Sequence, residues 1–303
     1  MKKILPDNIQ HVAIIAPAGP VKTDALDVGV DILHRQGLKV SVMPNVKTGS
    51  EVSYLSADID KRLSDLHACW QDKSIDLVLC ARGGFGSVQL LPEIDWELMR
   101  SRPLPLIGYS DITALHAGML KHNAGIPIAA PMPLRYQQAF FDCNHADFTL
   151  KYLYAAFQAD QEYQLKLPES MPAYEFIKDG KATALPFTAN LAVLVTLCGT
   201  PWFPDLDKRI LIVEDINEPA YKIDRYLTQL EHNGVLGKLS GLFFGSFTAC
   251  SSKQDLNLII KKFAASINGP VLKNFPFGHT FPLLSINMTR TMTVDSKTRL
   301  VTV

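Results

Sequence analysis

The 303-residue sequence has no excess of charge of either sign, because Lys plus Arg total 30 and Asp plus Glu total 30. This balance gives no electrostatic reason to expect a nucleic acid or an anionic membrane as partner. No apolar run reaches the roughly 18 residues that a membrane-spanning helix needs. We therefore expect a protein that binds neither nucleic acid nor membrane.

Paired metal-binding or disulfide motifs are also missing. The five cysteines are odd in number and scattered, and no two of them form a CxxC pair. This usage is typical of reduced thiols in a cytosolic protein, and it argues against a disulfide framework or a zinc site. The sequence contains no HExxH motif and no EF-hand loop, so we expect no metal and no cofactor.

We expect no secretory signal at the N-terminus, although Lys2 and Lys3 imitate the start of one. Polar residues at 7, 8, 10 and 11 interrupt the segment that would have to be apolar, and only "VAIIA" follows. We interpret the segment as a short lead into a first strand, and we expect a cytoplasmic protein.

In the first half of the chain, short apolar runs alternate with amphipathic helical patterns. Five strands are predicted, at 11–16, 38–44, 75–80, 104–110 and 126–132. Thr23 and Ser56 are the expected N-caps of the first two helices. The alternation predicts an α/β fold with a doubly wound, mostly parallel sheet, in which ligands bind beyond the carboxyl ends of the strands.

The second half has a different pattern. The stretch "RILIVEDI" predicts a strand, and the helix that follows is expected to stop at Asn233 and Gly234. The last 19 residues alternate apolar and polar positions around a turn, which predicts an antiparallel hairpin. Length favours two domains, and we predict an N-terminal domain at 1–160, a linker at 161–180 and a C-terminal domain at 181–303.

Ser110 lies between a predicted strand and a predicted helix, in "IGYSDIT". One interpretation is a helix cap, since serine is a favoured N-cap residue. The other is a nucleophile, because the helix N-terminus supplies free N–H groups, as in the strand–turn–helix nucleophile elbow. The local sequence leaves both open. The glycines of "ARGGFGS" follow another strand and could bring N–H groups close to an oxyanion, or simply form a tight turn.

A serine nucleophile needs a base and an orienting acid. Among the eight histidines, His279 stands apart as a lone polar residue in the apolar, bent loop "NFPFGHTFPLL". Glu214 and Asp215 come at the end of a strand, where one is expected to point inward and the other outward. The alternatives are a histidine bonded to the backbone and two solvent-facing acids.

Six stretches, in order and spread over most of the chain, resemble the LD-carboxypeptidase family of serine peptidases, which includes muramoyl-tetrapeptide carboxypeptidases and the microcin C immunity hydrolases. They are "APAGP", "ARGGFGS", "IGYSDIT", "TANLAVLVTLCGTPWFPDL", "LIVEDINEPAYKIDR" and "FPFGHT". The chain departs from the family where "FTANLAVL" replaces a "GGNL"-type segment and where "GHT" replaces the usual neighbourhood of the histidine.

The resemblance implies a Ser-Glu-His triad, with Ser110 as nucleophile, Glu214 rather than Asp215 as acid and His279 as base. It also implies an oxyanion hole formed by the backbone N–H groups of Gly84 and Asp111. The implied fold is an N-terminal α/β domain followed by a smaller β-rich C-terminal domain, in a protein that is often a homodimer.

The implied substrate is a muropeptide tetrapeptide, from which the enzyme would release the C-terminal D-alanine during cell-wall recycling. Arg82 is a candidate for binding the terminal carboxylate, or it braces the turn. Two alternatives are the same chemistry on a peptidyl-adenylate antibiotic and a non-catalytic α/β protein that binds a small molecule. A glutaminase-like function is rejected, because its nucleophile would be a cysteine and no cysteine follows the relevant strand.

Overall fold

A computed structural model describes residues 3–137, 145–158, 161–250 and 252–303. Cys143 lies outside the described residues, and the other four cysteines are free thiols. In the described residues, the strands are β1 His11–Ile15, β2 Lys39–Val42, β3 Leu77–Cys80, β4 Pro105–Gly108, β5 Ile126–Ala129, β6 Glu175–Lys178, β7 Lys181–Ala184, β8 Pro186–Asn190, β9 Ile210–Ile216, β10 Gly241–Thr248, β11 Val271–Lys273, β12 Ile286–Asn287, β13 Met292–Asp295 and β14 Leu300–Thr302.

The described α-helices connect or cover these strands. They are α1 Thr23–Arg35, α2 Ile59–Gln71, α3 Trp96–Arg100, α4 Thr113–His122, α5 Ala146–Ala155, α6 Leu191–Thr196, α7 Ala220–His232 and α8 Lys253–Ala264. No helix in the described ranges is long and apolar enough to cross a membrane.

The first sheet has six strands in the order β12-β5-β4-β3-β1-β2. Strands β1 to β5 pair in parallel, and β12 pairs antiparallel with β5 at the edge. Alternate residues of β1 enter different cores, because Val12 and Ile14 pack in one apolar cluster while Ala13 and Ile15 pack in the other. Burial on both faces is the property that a doubly wound parallel sheet requires, so the predicted α/β fold is confirmed.

The second sheet has the order β6-β11-β10-β9-β8, and its four strands β8 to β11 are parallel. A third, antiparallel sheet joins β7, β13 and β14, and it contains the predicted terminal hairpin. One apolar cluster runs from the first sheet to the second, so the two sheets share a core. Strand β6 lies within the predicted linker, and β12 returns to the first sheet; the division at 161–180 stays a prediction.

The predicted caps of the first two helices are wrong. Helix α1 begins at Thr23 itself, with Lys22 at the N-cap, and α2 begins at Ile59, with Asp58 at the N-cap. The Ser56 hydroxyl instead donates a hydrogen bond to the carbonyl of Ala16, in the loop after β1. The end of α7 is as expected, because Gly234 adopts a positive φ of 69° directly after Asn233.

Candidate active site

The candidate site lies at the carboxyl ends of the first sheet. Strands β1 and β3 are neighbours, but β1 leads to β2 on one side and β3 leads to β4 on the other. At such a switch point the loops diverge and leave a crevice in which α/β proteins bind ligands. The loops 16–20 and 81–87 line this point, and Ser110 follows the next strand along the sheet.

Ser110 has a left-handed backbone, with φ of 64°. A residue with a side chain is strained by roughly 1–3 kcal/mol in such a conformation, which is characteristic of functional sites. The residue begins a 3₁₀ turn, Ser110–Ile112, whose N-cap is Tyr109, and the N-cap of α4 is Ile112. The helix-cap interpretation of Ser110 is therefore wrong: its hydroxyl caps neither helix.

Gly83 packs directly against Ser110. A Cβ placed on Gly83 would lie 2.9 Å from the Cβ and 3.0 Å from the Oγ of Ser110, and 3.3 Å from the amide nitrogen of Asp111. A glycine is needed here because any side chain would occupy the space around the hydroxyl. The hydroxyl and the Asp111 amide nitrogen consequently border the same small space.

The peptide between Gly83 and Gly84 is held by the loop after β1. The Gly19 amide donates a hydrogen bond to the Gly83 carbonyl at 3.2 Å. In a trans peptide the N–H points opposite to the preceding C=O, so the Gly84 N–H points away from Gly19. Gly84 has φ of 122°, a conformation that glycine adopts readily and residues with a Cβ rarely do.

Arg62 forms hydrogen bonds with both loops that line the switch point, 16–20 and 81–87. Its side chain is buried, and its Nη1 donates hydrogen bonds of 2.9 Å to the carbonyls of Pro17 and Gly86. The carboxylate of Asp111 accepts a hydrogen bond of 2.9 Å from the Ser87 amide. Burial raises the pKa of the Asp111 carboxyl, an effect opposed by the hydrogen bonds from Ser87. The glycine loop is thus anchored at several points.

Glu214 and His279 form the second part of the site. Glu214, on β9, is fully buried, and its Oε2 lies 2.7 Å from His279 Nδ1. The same oxygen accepts a hydrogen bond of 3.2 Å from the His279 backbone amide. An ionised carboxylate can only accept, so Nδ1 carries the hydrogen and Nε2 is left as a proton acceptor.

Gly278 allows this close pairing. Its φ is 118°, and a Cβ at this position would lie 2.7 Å from the Cβ and 2.9 Å from the Oε2 of Glu214. Thr248 fixes the other side of the loop, because its hydroxyl donates a hydrogen bond of 2.8 Å to the His279 carbonyl. Both ring and backbone of the histidine are therefore held in place.

Asn190 is a site residue for which the sequence analysis gave no role. It ends β8 opposite Glu214, and its amide donates hydrogen bonds to Glu214 Oε1 at 3.2 Å and to Asp215 Oδ1 at 3.0 Å. The feature that could have identified Asn190 is its position at the end of β8, the strand that runs parallel to β9. Its backbone amide also donates to the Thr113 hydroxyl at the start of α4, which ties β8 to the helix that follows Ser110.

The expectation that one of the two adjacent acids points outward is wrong. Asp215 is 2% exposed, and it accepts hydrogen bonds from Asn190, the Ala192 amide and its neighbour Ile216. Burial raises the pKa of the Asp215 carboxyl to about 6, despite these hydrogen bonds. The carboxylate that contacts His279 is that of Glu214.

Ser110 and His279 line one open cleft of about 720 Å³. Gly83, Gly84 and Arg82 line it as well. The described residues show no direct hydrogen bond between Ser110 and His279; such catalytic hydrogen bonds are often long without substrate and shorten in the complex. Tyr109, the residue before the serine, contacts the histidine, because its ring centroid lies 5.3 Å from that of His279.

The position of Arg82 is compatible with both predicted roles, which are binding the terminal carboxylate and bracing the turn. It lines the cleft, and its Nη1 also donates a hydrogen bond of 3.2 Å to the Pro20 carbonyl. Within the described ranges no cluster of His, Cys, Asp and Glu could hold a metal ion. The arrangement therefore provides a hydroxyl, an imidazole–carboxylate pair and backbone N–H groups, which are the components of acyl transfer.

Comparison with known proteins identifies the family of the chain. The family model described as LD-carboxypeptidase N-terminal domain matches residues 12–129, and the model described as LD-carboxypeptidase C-terminal domain matches residues 186–294. The murein tetrapeptide carboxypeptidase of Pseudomonas aeruginosa is 30% identical over 277 residues, which cover 89% of this chain and 88% of that protein.

Two solved structures have the same fold. The muramoyltetrapeptide carboxypeptidase of Oxalobacter formigenes is 25% identical, with a TM-score of 0.81 over 97% of each chain. The microcin C7 self-immunity protein MccF has a TM-score of 0.87 at 22% identity, over 100% of this chain and 98% of its own, which shows the fold alone. The chain belongs to the LD-carboxypeptidase family of serine peptidases.

Proposed function

We propose that the protein is a serine carboxypeptidase that removes the C-terminal D-alanine from murein tetrapeptides by cleaving an L,D-peptide bond. The observation that carries the proposal is the 2.7 Å contact between Glu214 Oε2 and His279 Nδ1, in a cleft that also contains Ser110. In this proposal Ser110 is the nucleophile, His279 the base and Glu214 the orienting acid.

The reaction begins when Ser110 Oγ attacks the carbonyl carbon of the scissile bond. His279 Nε2 takes the serine proton, and Glu214 stabilises the imidazolium through Nδ1. The proton then passes to the leaving amine, D-alanine departs, and the peptide remains as an ester on Ser110. Water, activated by the same imidazole, hydrolyses the ester and restores the serine.

The oxyanion of the tetrahedral intermediate needs N–H donors fixed before the reaction. We assign this role to the backbone N–H groups of Gly84 and Asp111. The support is the Gly19 hydrogen bond to the Gly83 carbonyl and the closeness of the Asp111 nitrogen to Gly83. One such donor typically contributes about 100- to 1000-fold in rate.

The substrate part of the proposal rests on relatives and on charge. The Pseudomonas aeruginosa and Oxalobacter formigenes relatives are named as tetrapeptide carboxypeptidases. A C-terminal amino acid carries a carboxylate next to the scissile bond, and we assign its recognition to Arg82, which lines the cleft. Cytoplasmic cell-wall recycling and a homodimeric state complete the proposal.

A second candidate is hydrolysis of a peptidyl-adenylate antibiotic by the same residues. It is favoured by the likeness in fold to MccF over the whole chain. The chemistry at Ser110 would be unchanged, and only the acyl and leaving groups would differ.

The test is a comparison of three synthetic compounds with the purified protein: a murein tetrapeptide, the corresponding pentapeptide and a peptidyl-adenylate analogue. We expect D-alanine release from the tetrapeptide, with kcat/KM well above that for the other two. Preferred cleavage of the adenylate analogue would overturn the proposed substrate in favour of the second candidate. Cleavage of none of the three would overturn both.

A further inference from the structure

The pairing of β9 with β10 is irregular directly beside the proposed acid of the triad. Between two regularly paired positions, β9 contributes the single residue Glu214, whereas β10 contributes two residues, Gly245 and Ser246. Such a bulge changes the direction of a side chain on the longer strand, and bulges are frequent next to active sites. The extra residue on β10 brings Ser246 level with the acid.

The Ser246 hydroxyl borders the same small space as the carboxylate. A Cβ placed on Gly278 would lie 2.5 Å from Ser246 Oγ and 2.9 Å from Glu214 Oε2. The loop of His279 is attached to β10 at this point, because the Ser246 amide donates a hydrogen bond of 2.8 Å to the Phe277 carbonyl. Strand β10 therefore holds its serine beside the proposed acid and against the loop that carries the proposed base.

The hydroxyl of Ser246 is a buried polar group without a partner. Its oxygen is inaccessible to solvent, and it makes no hydrogen bond with any of the described residues. Burying a hydroxyl in this way costs stability, so a hydroxyl that is nevertheless present calls for an explanation in function. A serine hydroxyl can donate one hydrogen bond, and the carboxylate that borders the same space can only accept.

The Glu214 carboxylate has room for a further donor. It is fully buried, and its Oε1 accepts a hydrogen bond from the Asn190 amide. Its Oε2 accepts two more, from the ring and from the backbone N–H of His279. A carboxylate offers about four acceptor sites, so these three bonds leave one. Each donor to a buried carboxylate stabilises its ionised form, which is the form that the proposed mechanism needs.

We propose that Ser246 is a positioning residue of the triad, whose hydroxyl donates a hydrogen bond to the Glu214 carboxylate and holds it against His279 while the imidazolium forms. This inference rests on the proposed function. Hydrogen bonds of an active site are often long without substrate and shorten in the complex. Ser246 acts through Glu214, and it is not among the described residues that line the cleft.

Loss of the Ser246 hydroxyl should change the pH at which the enzyme becomes active. A donor on the carboxylate makes the Glu214–His279 pair a weaker base, and the enzyme is active when the imidazole is free to accept the serine proton. Without the donor the pair keeps its proton to a higher pH, so the acidic limb of the kcat/KM profile moves upward. Other titratable groups near Glu214 stay in place in the variant: Asp215, Tyr109 and Cys250.

The experiment measures kcat and KM against pH for D-alanine release from the murein tetrapeptide, with the wild type, Ser246→Ala and Ser285→Ala. Ser285 is the matched control, since it is a buried serine whose hydroxyl also lacks a described partner, and it lines a separate small cavity. For Ser246→Ala we expect kcat to fall by roughly tenfold and the acidic limb to rise by roughly one pH unit, as for one hydrogen bond to a charged group. KM should stay within about threefold of the wild type, and Ser285→Ala should match the wild type in all three quantities.

Thermal unfolding shows whether each variant is folded. A folded Ser246→Ala variant with the kcat and the acidic limb of the wild type would overturn this inference while the proposed function stands. An unfolded variant, or a loss of kcat with an unmoved limb, would indicate a structural role for Ser246 and would overturn it as well. If the wild type releases no D-alanine, the proposed function itself is overturned, and the inference with it.

Discussion

Replacing Gly83 by alanine tests the geometry around the serine without removing any proposed catalytic group. The added Cβ would lie 2.9 Å from Ser110 Cβ, a distance that Cβ atoms essentially never show, and 3.0 Å from Ser110 Oγ, which is also closer than most Cβ contacts. Gly83 is outside the left-handed region, so its backbone accepts alanine. The collision, and not the backbone, therefore determines the effect.

The size of the effect on kcat depends on which atoms must move to make room for the added methyl group. Ser110 is already strained at φ of 64°, so its Cβ has little freedom to give way. The new methyl group would also lie 3.3 Å from the Asp111 nitrogen and would crowd an oxyanion at that N–H. We expect kcat to fall by about 100- to 1000-fold, the effect of losing one oxyanion donor. Overpacking should lower the free energy of unfolding by about 1–3 kcal/mol.

The assay is D-alanine release from the tetrapeptide, together with thermal unfolding of each variant. Gly237→Ala is the matched control, because its Cβ would have its nearest neighbour, the Ser266 carbonyl oxygen, at 3.9 Å, far from the cleft. It should keep wild-type activity. A folded Gly83→Ala variant with wild-type kcat would refute the assignment of this space to the hydroxyl and the oxyanion.

Two further predictions concern the buried acids. Glu214→Gln replaces an acceptor by an amide that no longer fixes the imidazole tautomer, and we expect kcat to fall by about 10⁴-fold in the same assay; a loss below tenfold would contradict the role of Glu214. Burial raises the pKa of Asp215 to about 6, so its contribution to stability is present below its ordinary pKa and is lost as pH rises through about 6. Carboxyl-carbon NMR of the folded protein should show this titration, and a midpoint below 4 would contradict it.

The first sheet could be predicted because the residue pattern that identifies its strands is local in the sequence. Strands β3, β4 and β5 are short, apolar and mostly buried runs, and burial on both faces of a sheet produces that pattern. Ser110 and the glycines followed from the same reasoning, since functional loops lie at the carboxyl ends of such strands.

Other features could not be predicted because they depend on contacts between distant segments. Strand β12 has two residues, and only its pairing with β5 defines it. Arg62 lies on a helix with an ordinary amphipathic pattern, and nothing nearby in sequence indicates that its guanidinium reaches two loops. Thr23 and Ser56 are plausible caps by residue type, but the N-cap positions of α1 and α2 fall on Lys22 and Asp58, and neither forms a side-chain capping hydrogen bond.

The proposed mechanism requires the Ser110 hydroxyl as nucleophile, and Ser110→Ala removes only that hydroxyl. With Ser101→Ala, an exposed serine after α3, as control, we compare kcat for D-alanine release from the tetrapeptide and the thermal unfolding of both variants. We expect an unchanged fold and a loss in kcat of about 10⁴-fold or more for Ser110→Ala, with wild-type activity for the control. Turnover by folded Ser110→Ala at a rate near that of the wild type would contradict it.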